Sequence, residues 1–374
     1  MINMNIIYDD INVIIINKLK KKELYKLKCV NKYFNNLVIE NISNITQIIK
    51  PSIKNYYYNA LSIRVIDTQY TNTLTNILNK FKNYNKISFE NFIVFEEEDK
   101  KYYHDNIFTK LLSLKLCNCN LINSFKYENY TSLKSLTLDR NNDIEYINNN
   151  NLLDNLILLT QLTELYIDNV FNKYDTVNLN KLTKLTNLNI LGLCNIRKNV
   201  CNDYIFLKDM TKLKKLYLNN NFKSITNIYA PLCLDELYIK GIYNELYYIS
   251  YLNNEIFNST FLNIKVIDIS ESPYIYIEQI INIIKIYYRS LEKLFINNCN
   301  LGDLKISKLA NFIKNNIPEL TVELHLKFNR FNYNSLINLH RSAKNVKIFV
   351  NKYDICVCDN ENINDKIIKN KLYF

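Results

Sequence analysis

Glycine, proline and tryptophan are scarce in this chain of 374 residues, which holds three glycines, four prolines and no tryptophan. No P-loop, dinucleotide-binding fingerprint, G-x-S-x-G elbow or H-E-x-x-H helix is present. No run of about 18 apolar residues occurs, so no transmembrane helix is expected. The N-terminus lacks the basic and apolar regions of a secretory signal. These absences predict a protein that is neither an enzyme nor a membrane protein.

The cysteines and histidines form no recognisable metal or disulfide framework. Nine cysteines are an odd number, which favours a reducing, intracellular setting, the cytoplasm or also the nucleus. Cys117-x-Cys119 and Cys356-x-Cys358 lack the second pair of a zinc site. The three histidines are far apart in the sequence. We therefore expect no metal and no cofactor.

A spaced leucine pattern, L-x-x-L-x-L-x-x-N/C-x-L, returns along most of the chain. Its best copies are Leu111-Leu114-Leu116-Cys119-Leu121 and Leu291-Leu294-Ile296-Cys299-Leu301. The starts of the remaining copies are Ala60, Tyr84, Leu133, Leu162, Leu185, Leu213, Leu234, Ile264, Thr321 and Ala343. Their mean spacing of about 26 residues is that of the leucine-rich repeat. The pattern predicts an α/β leucine-rich-repeat solenoid of about twelve repeats with a curved parallel sheet.

Each L-x-L centre predicts a short strand whose alternate side chains face inward and outward. Helical spacing of apolar residues predicts helices within 277–288 and 304–313. Units of 21–24 residues have room only for turns or a short 3₁₀ segment. The three glycines, Gly192, Gly241 and Gly302, are expected at turns, where a positive φ is useful. Cys119 and Cys299 stand at the Asn/Cys position and are expected to be buried.

Residues 1–50 differ from the repeats. Their apolar spacing predicts two short amphipathic helices, near 9–19 and 22–40. The solenoid is expected over 51–355, and residues 356–374 are expected to form a C-terminal cap or tail.

The segment from Ile7 to Leu37 resembles an F-box. The matching residues are Ile7, Asp10-Ile11, Ile15, Leu19, Glu23-Leu24, Leu27, Val30, Lys32, Phe34 and Leu37. Tyr8 and Asn31 stand where the family usually has proline and cysteine. The resemblance implies a non-catalytic subunit that docks on a Skp-type adaptor and its cullin scaffold, in a cullin-RING ubiquitin ligase. The residues that it implies for the adaptor contact are Ile7, Ile11, Ile15, Leu19, Leu24, Leu27, Val30 and Phe34. The alternative is that these helices only cap the first repeat, as solenoids require.

The outward residue at each strand centre predicts a binding surface on the concave face of the sheet. In order these residues are Lys115, Thr137, Tyr166, Asn189, Tyr217, Tyr238, Asp268, Phe295, His325 and Lys347. Exposed tyrosines on a rigid sheet are typical anchors for a protein partner. The partner-binding residues predicted from this pattern are Tyr166, Tyr217, Tyr238, Asp268, Phe295 and His325. The alternative is that tyrosine is simply abundant, at 30 residues, and that aromatic residues suit strands in any case.

The leading hypothesis is therefore a substrate-recognition subunit of a cullin-RING (SCF-type) ubiquitin ligase, which binds a protein on its concave face. The alternative is a stand-alone repeat scaffold that binds or sequesters a protein with no ligase link. The bias toward Asn, Ile, Lys and Tyr resembles the codon usage of AT-rich genomes, and AT-rich DNA viruses encode repeat proteins of this kind. The net charge of +11 also permits nucleic-acid binding through the lysine-rich N-terminus, which is the least favoured hypothesis.

Overall fold

The computed structural model describes a series of segments that are separated by gaps in the chain. Their contacts divide the chain into two units, Met1–Asp143 and Ile144–Phe374. The described residues are 46–49, 62–66, 84–91, 109–119, 130–139, 149–170, 178–196, 204–219, 227–229, 231, 233–241, 263–351, 355–356 and 372–373.

In the first unit, parallel strands follow one another in chain order. They are β1 (Thr46–Ile49), β2 (Ser62–Ile66), β3 (Lys86–Glu90), β4 (Ser113–Cys117) and β5 (Ser135–Asp139). Each strand pairs with the next in a simple register, so that Arg64, Ser88, Lys115 and Thr137 oppose one another at the strand centres.

The second unit has the same kind of arrangement. Its described strands are β6 (Glu164–Asp168), β7 (Ile190–Cys194), β8 (Tyr204–Phe206), β9 (Lys215–Tyr217), β10 (Asn227–Tyr229), β11 (Glu236–Tyr238), β12 (Val266–Asp268), β13 (Lys293–Phe295), β14 (Glu323–His325), β15 (Phe331–Asn332), β16 (Lys347–Phe349), β17 (Ile355–Cys356) and β18 (Leu372–Tyr373). The pairs β8–β10 and β15–β17 form two small separate sheets. The others pair in parallel, one after the next.

Helices lie in the segments that connect these strands. Those described are α1 (Asn149–Leu156), a 3₁₀ helix (Leu179–Lys184), α2 (Ile277–Tyr287), α3 (Asp303–Asn316) and α4 (Tyr333–Ser342). The helices predicted within 277–288 and 304–313 are confirmed as α2 and α3. Helix α3 ends just before Ile317-Pro318, since proline disfavours a helical conformation in the residue that precedes it. None of these helices is long and apolar enough to cross a membrane.

Helix α4 contradicts the prediction that the shorter units hold no full helix. This short unit can hold a full helix because β15 leads directly into α4, without a connecting loop. The side chain of Asn332 caps the helix by accepting a hydrogen bond from the Ser335 backbone N–H, at 2.8 Å. Leu336 and Leu339 then turn into the core, where both are fully buried.

The core is a ladder of leucine and isoleucine. In each strand of the repeat pattern, the inward residues in the strand or directly after it are buried, as Leu216 and Leu294 are at 0 % exposure. Each of the twelve predicted repeat starts leads into a strand of this kind. These strands are β2–β7, β9, β11–β14 and β16. The chain thus folds as an α/β leucine-rich-repeat solenoid. A strand alone exposes one apolar face to water, and stacking the repeats covers that face.

Two of the twelve predicted registers are wrong. The repeat placed at Leu185 puts Asn189 at the strand centre, but Gly192 stands opposite Tyr166 and Tyr217. The repeat placed at Ala343 puts Lys347 at the centre, but Phe349 stands opposite His325. In both segments more than one set of apolar residues fits the leucine spacing, and strand pairing selects the other set.

A left-handed backbone residue stands three positions after the strand centre in eight repeats where the structure describes that position. The positive-φ residues at this position are Asn91, Asn118, Asn169, Asn195, Gly241, Glu271, Asn298 and Phe328, with φ between 51° and 74°. Asparagine and glycine tolerate this conformation best. Of the three glycines, only Gly241 fulfils the prediction of a positive-φ turn. Gly192 lies within β7, and Gly302 begins α3 with an extended backbone.

The Asn/Cys position of the repeat links neighbouring coils through the backbone. Cys299 is fully buried, and its thiol donates to the carbonyl of Ile269 at 3.3 Å. Asn329, also buried, accepts from the N–H groups of Cys299 and Leu301 and donates to the carbonyls of Ile296 and Leu326. Cys119 is buried in the same way. The predicted burial of Cys119 and Cys299 is confirmed.

The predicted helical module over 1–50 lies outside the described residues apart from β1. The predicted tail over 356–374 does so apart from Cys356 and β18. Both domain boundaries stay predictions.

Candidate functional site

The residues at the strand centres of the second unit form one continuous row. Because the strands are parallel and in register, the central residues stand side by side on the sheet face that looks away from the helices and core. We call this set the central row, and its members are Tyr166, Gly192, Tyr217, Tyr238, Asp268, Phe295, His325 and Phe349. Five of the eight are tyrosine or phenylalanine.

Three tyrosines form a cluster at one end of the central row. Tyr217 and Tyr238 stack with centroids 4.3 Å apart and planes 8° apart. Tyr166 meets Tyr217 at 5.6 Å with a tilt of 49°, although β7 lies between their strands. Gly192 makes this contact possible, because a Cβ atom there would lie 2.4 Å from Cδ1 of Tyr166. The ring of Tyr166 therefore occupies the space that any other residue would fill at Gly192.

A second stack lies at the other end of the central row. The His325 ring is 4.1 Å from that of Phe295 and 4.2 Å from that of Phe349, with interplanar angles of 20° and 3°. Adjacent strands are separated by about 4.8 Å, so these rings lean slightly toward one another. Stacked aromatic contacts of this kind add to the stabilisation that burial provides.

Stacking determines which part of each ring a partner can meet. The ring faces point along the row and are covered by neighbouring rings. The parts left for a partner are mainly the ring edges, which carry partial positive charge. The central row therefore suits a partner that offers apolar atoms and partly negative groups to these edges, rather than a flat group that inserts between rings.

Asp268 separates the two stacks and is largely covered. It is only 4 % exposed. Its carboxylate accepts from the Ser270 backbone N–H at 3.0 Å and from the Lys240 ammonium at 2.9 Å. A buried carboxylate requires such partners, since burial without them disfavours the charge. Asp268 therefore differs from the other predicted contacts, because its main interactions are within the chain.

The charged residues beside the central row largely pair with one another. Lys215 meets Glu236 at 3.1 Å, and Glu236 also accepts a hydrogen bond from the Tyr238 hydroxyl at 2.7 Å. Glu323 lies between Lys293 at 3.2 Å and Lys347 at 3.3 Å. Partial burial opposes ionisation of Glu323, but the two lysines outweigh it and lower the pKa of the carboxyl. Mixed and mutually paired charge suits a protein partner more than a polyanion.

Three rings of the central row, Tyr166, Tyr238 and His325, stay uncharged at neutral pH. Burial, with the Tyr217 ring and Glu164 nearby, raises the pKa of Tyr166 to about 12. Burial and the hydrogen bond to Glu236 raise the pKa of Tyr238 further. Burial lowers the pKa of His325 despite the Glu323 carboxylate 3.9 Å away. The hydroxyls of Tyr166 and Tyr238 thus keep their protons, and His325 remains a neutral ring within its stack.

The strand centres of the first unit have a different chemistry. Arg64, Ser88, Lys115 and Thr137 are all polar. Arg64 forms a two-pronged ion pair with Glu90, with Nε–Oε1 at 2.7 Å and Nη2–Oε2 at 2.5 Å. The hydrogen bond from Arg64 lowers the pKa of Glu90. Aromatic residues at described strand centres are confined to the second unit.

All six residues that the sequence predicts as partner contacts lie in the central row. Two further members, Gly192 and Phe349, were missed because of the two register errors. The alternating run Val346-Ile348-Val350 could have indicated Phe349, since all three are buried. No pattern in the sequence indicates that Lys240 pairs with Asp268. The eight residues of the predicted adaptor contact, Ile7 to Phe34, lie outside the described residues.

Within the described residues, no group of three or more His, Cys, Asp or Glu side chains is placed to hold a metal ion. Within the part of the chain that the structure describes, Cys117, Cys119, Cys194, Cys233 and Cys299 form no disulfide bond.

No model of a protein family matches the chain, and no curated protein matches it. Several solved structures are similar. An internalin from Listeria monocytogenes is 16 % identical with a TM-score of 0.37, over 79 % of this chain and 81 % of that one. A leucine-rich-repeat protein from Leptospira interrogans is 15 % identical with a TM-score of 0.40, over 78 % and 72 %. A complex of Rad7 and Elc1 in yeast is 16 % identical with a TM-score of 0.41, over 84 % and 76 %. All these scores are below 0.5, so the fold is assigned from the strands, register and buried ladder of the chain itself.

Proposed function

We propose that this chain is a non-catalytic protein-interaction adaptor that holds a protein partner on its central row. The observation that carries the proposal is the pair of aromatic stacks on a parallel sheet. Half-buried rings that are fixed by their neighbours lose little conformational entropy on binding, and tyrosine is enriched among the residues that dominate binding energy.

The more specific proposal is a substrate-recognition subunit of a cullin-RING ubiquitin ligase. It rests on the resemblance of Ile7–Leu37 to an F-box. In this proposal the N-terminal segment docks on a Skp-type adaptor and its cullin scaffold, and the central row selects the substrate. A reducing compartment such as the cytoplasm fits cysteines that form no disulfide bond.

The test measures binding of the full-length chain to a purified Skp-type adaptor by biolayer interferometry. Wild type is expected to bind, and the double variant Ile11→Asp/Leu24→Asp is expected to lose binding. Lys21→Ala is the matched control and should bind like wild type, because the contact is apolar. Binding should change little between low and high salt, whereas binding of nucleic acid would fall steeply.

Absence of adaptor binding by the wild-type chain would overturn the ligase proposal. The alternative, a stand-alone scaffold that binds or sequesters a protein, would then account for the central row without an N-terminal partner.

A further inference from the structure

Exposed apolar side chains concentrate at one edge of the second unit. Among the described residues, six large apolar side chains are exposed to solvent, and four of them follow β12, β13 or β14. We call these four the edge patch. They are Tyr274 (46 % exposed), Tyr276 (38 %), Leu304 (83 %) and Phe328 (64 %). Single exposed apolar residues are ordinary, but a cluster of them marks an interaction surface.

Hydrogen bonds hold the three segments of the edge patch against one another. The Lys305 ammonium donates to the Ile275 carbonyl at 3.1 Å, which fixes the first turn of α3 beside Tyr274 and Tyr276. The Asn298 N–H donates to the Lys327 carbonyl at 2.9 Å, directly before Phe328. The four side chains therefore come from adjacent, fixed coils.

Phenylalanine is an unfavourable residue for the backbone conformation at position 328. Its φ of 62° places it in the left-handed region, where the equivalent residue of most other repeats is asparagine or glycine. A bulky residue is disfavoured there, and such strain concentrates at functional sites. The ring also leaves most of its surface in water. A contact with another molecule is a reason to retain it.

The charge beside Phe328 is positive. Lys327 and Arg330 flank the ring in sequence, and no aspartate or glutamate occurs anywhere from Leu326 to Tyr353. Two acidic groups elsewhere along the edge have partners within the chain. Asp303 accepts from the Asn332 N–H at 2.6 Å, and Glu278 pairs with Lys308 at 3.3 Å. The Phe328 end of the edge patch thus offers apolar contact beside two cations.

We propose that the edge patch binds an acidic amphipathic segment of a protein partner. Its apolar side chains would pack on Phe328, Leu304 and the two tyrosines, and its carboxylates would meet Lys327 and Arg330. Apolar anchors surrounded by complementary charge are the usual composition of a helix-binding surface. This surface differs from the central row, so a partner could occupy it whether or not the proposed function holds.

The probe is a fluorescent helical peptide with leucine at positions i, i+3, i+4 and i+7 and glutamate at most other positions. A matched peptide carries lysine in place of glutamate. Anisotropy titrations with the full-length chain are expected to show binding of the glutamate peptide, weakened by added salt, and no binding of the lysine peptide.

Phe328→Asn is the informative variant, because asparagine suits the backbone that phenylalanine strains. It should raise the melting temperature and yet weaken peptide binding by about tenfold or more, as loss of a central anchor does. Leu304→Ser and the double variant Lys327→Ala/Arg330→Ala should also weaken binding. Leu158→Asn, at an exposed leucine outside the edge patch (51 % exposed), is the control and should leave affinity unchanged.

Three results would overturn the proposal. They are no binding of the glutamate peptide, equal binding of both peptides, and binding that Phe328→Asn leaves intact. Loss of binding in Tyr238→Ala but not in Phe328→Asn would assign the peptide to the central row instead.

Discussion

At the scale of single residues, Gly192 shows how one missing side chain shapes the binding surface. A glycine within a strand usually weakens it or marks a close approach. Here the approaching group is the Tyr166 ring, which crosses over β7 to meet Tyr217. The glycine thus joins Tyr166 to the stack two strands away.

Gly192→Ala is expected to lower the free energy of unfolding by about 1–3 kcal/mol, because its Cβ would overlap Cδ1 of Tyr166 and overpacking has costs of this order. In a Tyr166→Ala background the same change should have little effect, since the ring is gone. Urea denaturation of the wild type, both single variants and the double variant measures the coupling. Equal effects of Gly192→Ala in both backgrounds would contradict the contact.

The residue type at a fixed position of the repeat also predicts whether that side chain is buried. Cys119 and Cys299 were expected to be buried from their place in the pattern, and they are. The sequence predicts Asp268 as an outward-facing partner contact, and its burial under Lys240 has no signal in the sequence. The lysine reaches across from the neighbouring coil, and sequence spacing alone does not show which long side chains find a partner.

At the scale of elements, the Phe295–His325–Phe349 stack joins three consecutive strands. His325 lies within it at 15 % side-chain exposure, near Glu323, Lys293, Lys327 and Asp268. Its pKa is lowered first by burial and then by the lysines, which together outweigh the two carboxylates.

The titration of His325 should therefore lower the free energy of unfolding as the pH falls. The unfolded chain titrates this group near pH 6.5, and the folded chain does so at lower pH. As the pH falls through about 6.5, the unfolded state takes up the proton first, so the folded state loses relative stability. Above pH 7 the group is neutral in both states and contributes no pH dependence.

The variant His325→Phe tests this pH dependence, because it removes the titratable group and keeps an aromatic ring in the stack. Urea midpoints of wild type and variant, measured from pH 8 to pH 5, are expected to diverge on acidification, with the wild type falling further. Parallel curves would show that His325 does not titrate differently in the folded and unfolded states.

Element prediction succeeded where apolar periodicity was long, as in α2 and α3. It is wrong for α4, because the length of a unit does not by itself limit its helix content. The asparagine cap and the direct β15–α4 junction allow a full helix within this short unit. Both are local signals, but their importance depends on where the preceding strand ends.

At the scale of the whole molecule, stability arises from a ladder of buried side chains repeated from coil to coil. Leu216→Ala and Leu294→Ala are each expected to lower the free energy of unfolding by about 2–5 kcal/mol, because both leucines are fully buried. The control is Leu304→Ala, at 83 % exposure, which should change it by less than about 0.5 kcal/mol. Chemical denaturation of the full-length chain measures all three. A small effect at either buried leucine would contradict the register.

The sequence by itself determined the repeat, the strand in every unit and most of the central row, because a period of about 26 residues repeats the same inward and outward positions. It did not determine register at Leu185 or Ala343, where several apolar residues compete for the same place. Pairing with neighbouring strands resolved that competition and brought Gly192 and Phe349 into the row. The aromatic stacks, the covered Asp268 and the edge patch were decided only by tertiary structure, because each depends on side chains from coils that lie next to one another in space but 20 to 30 residues apart in the chain.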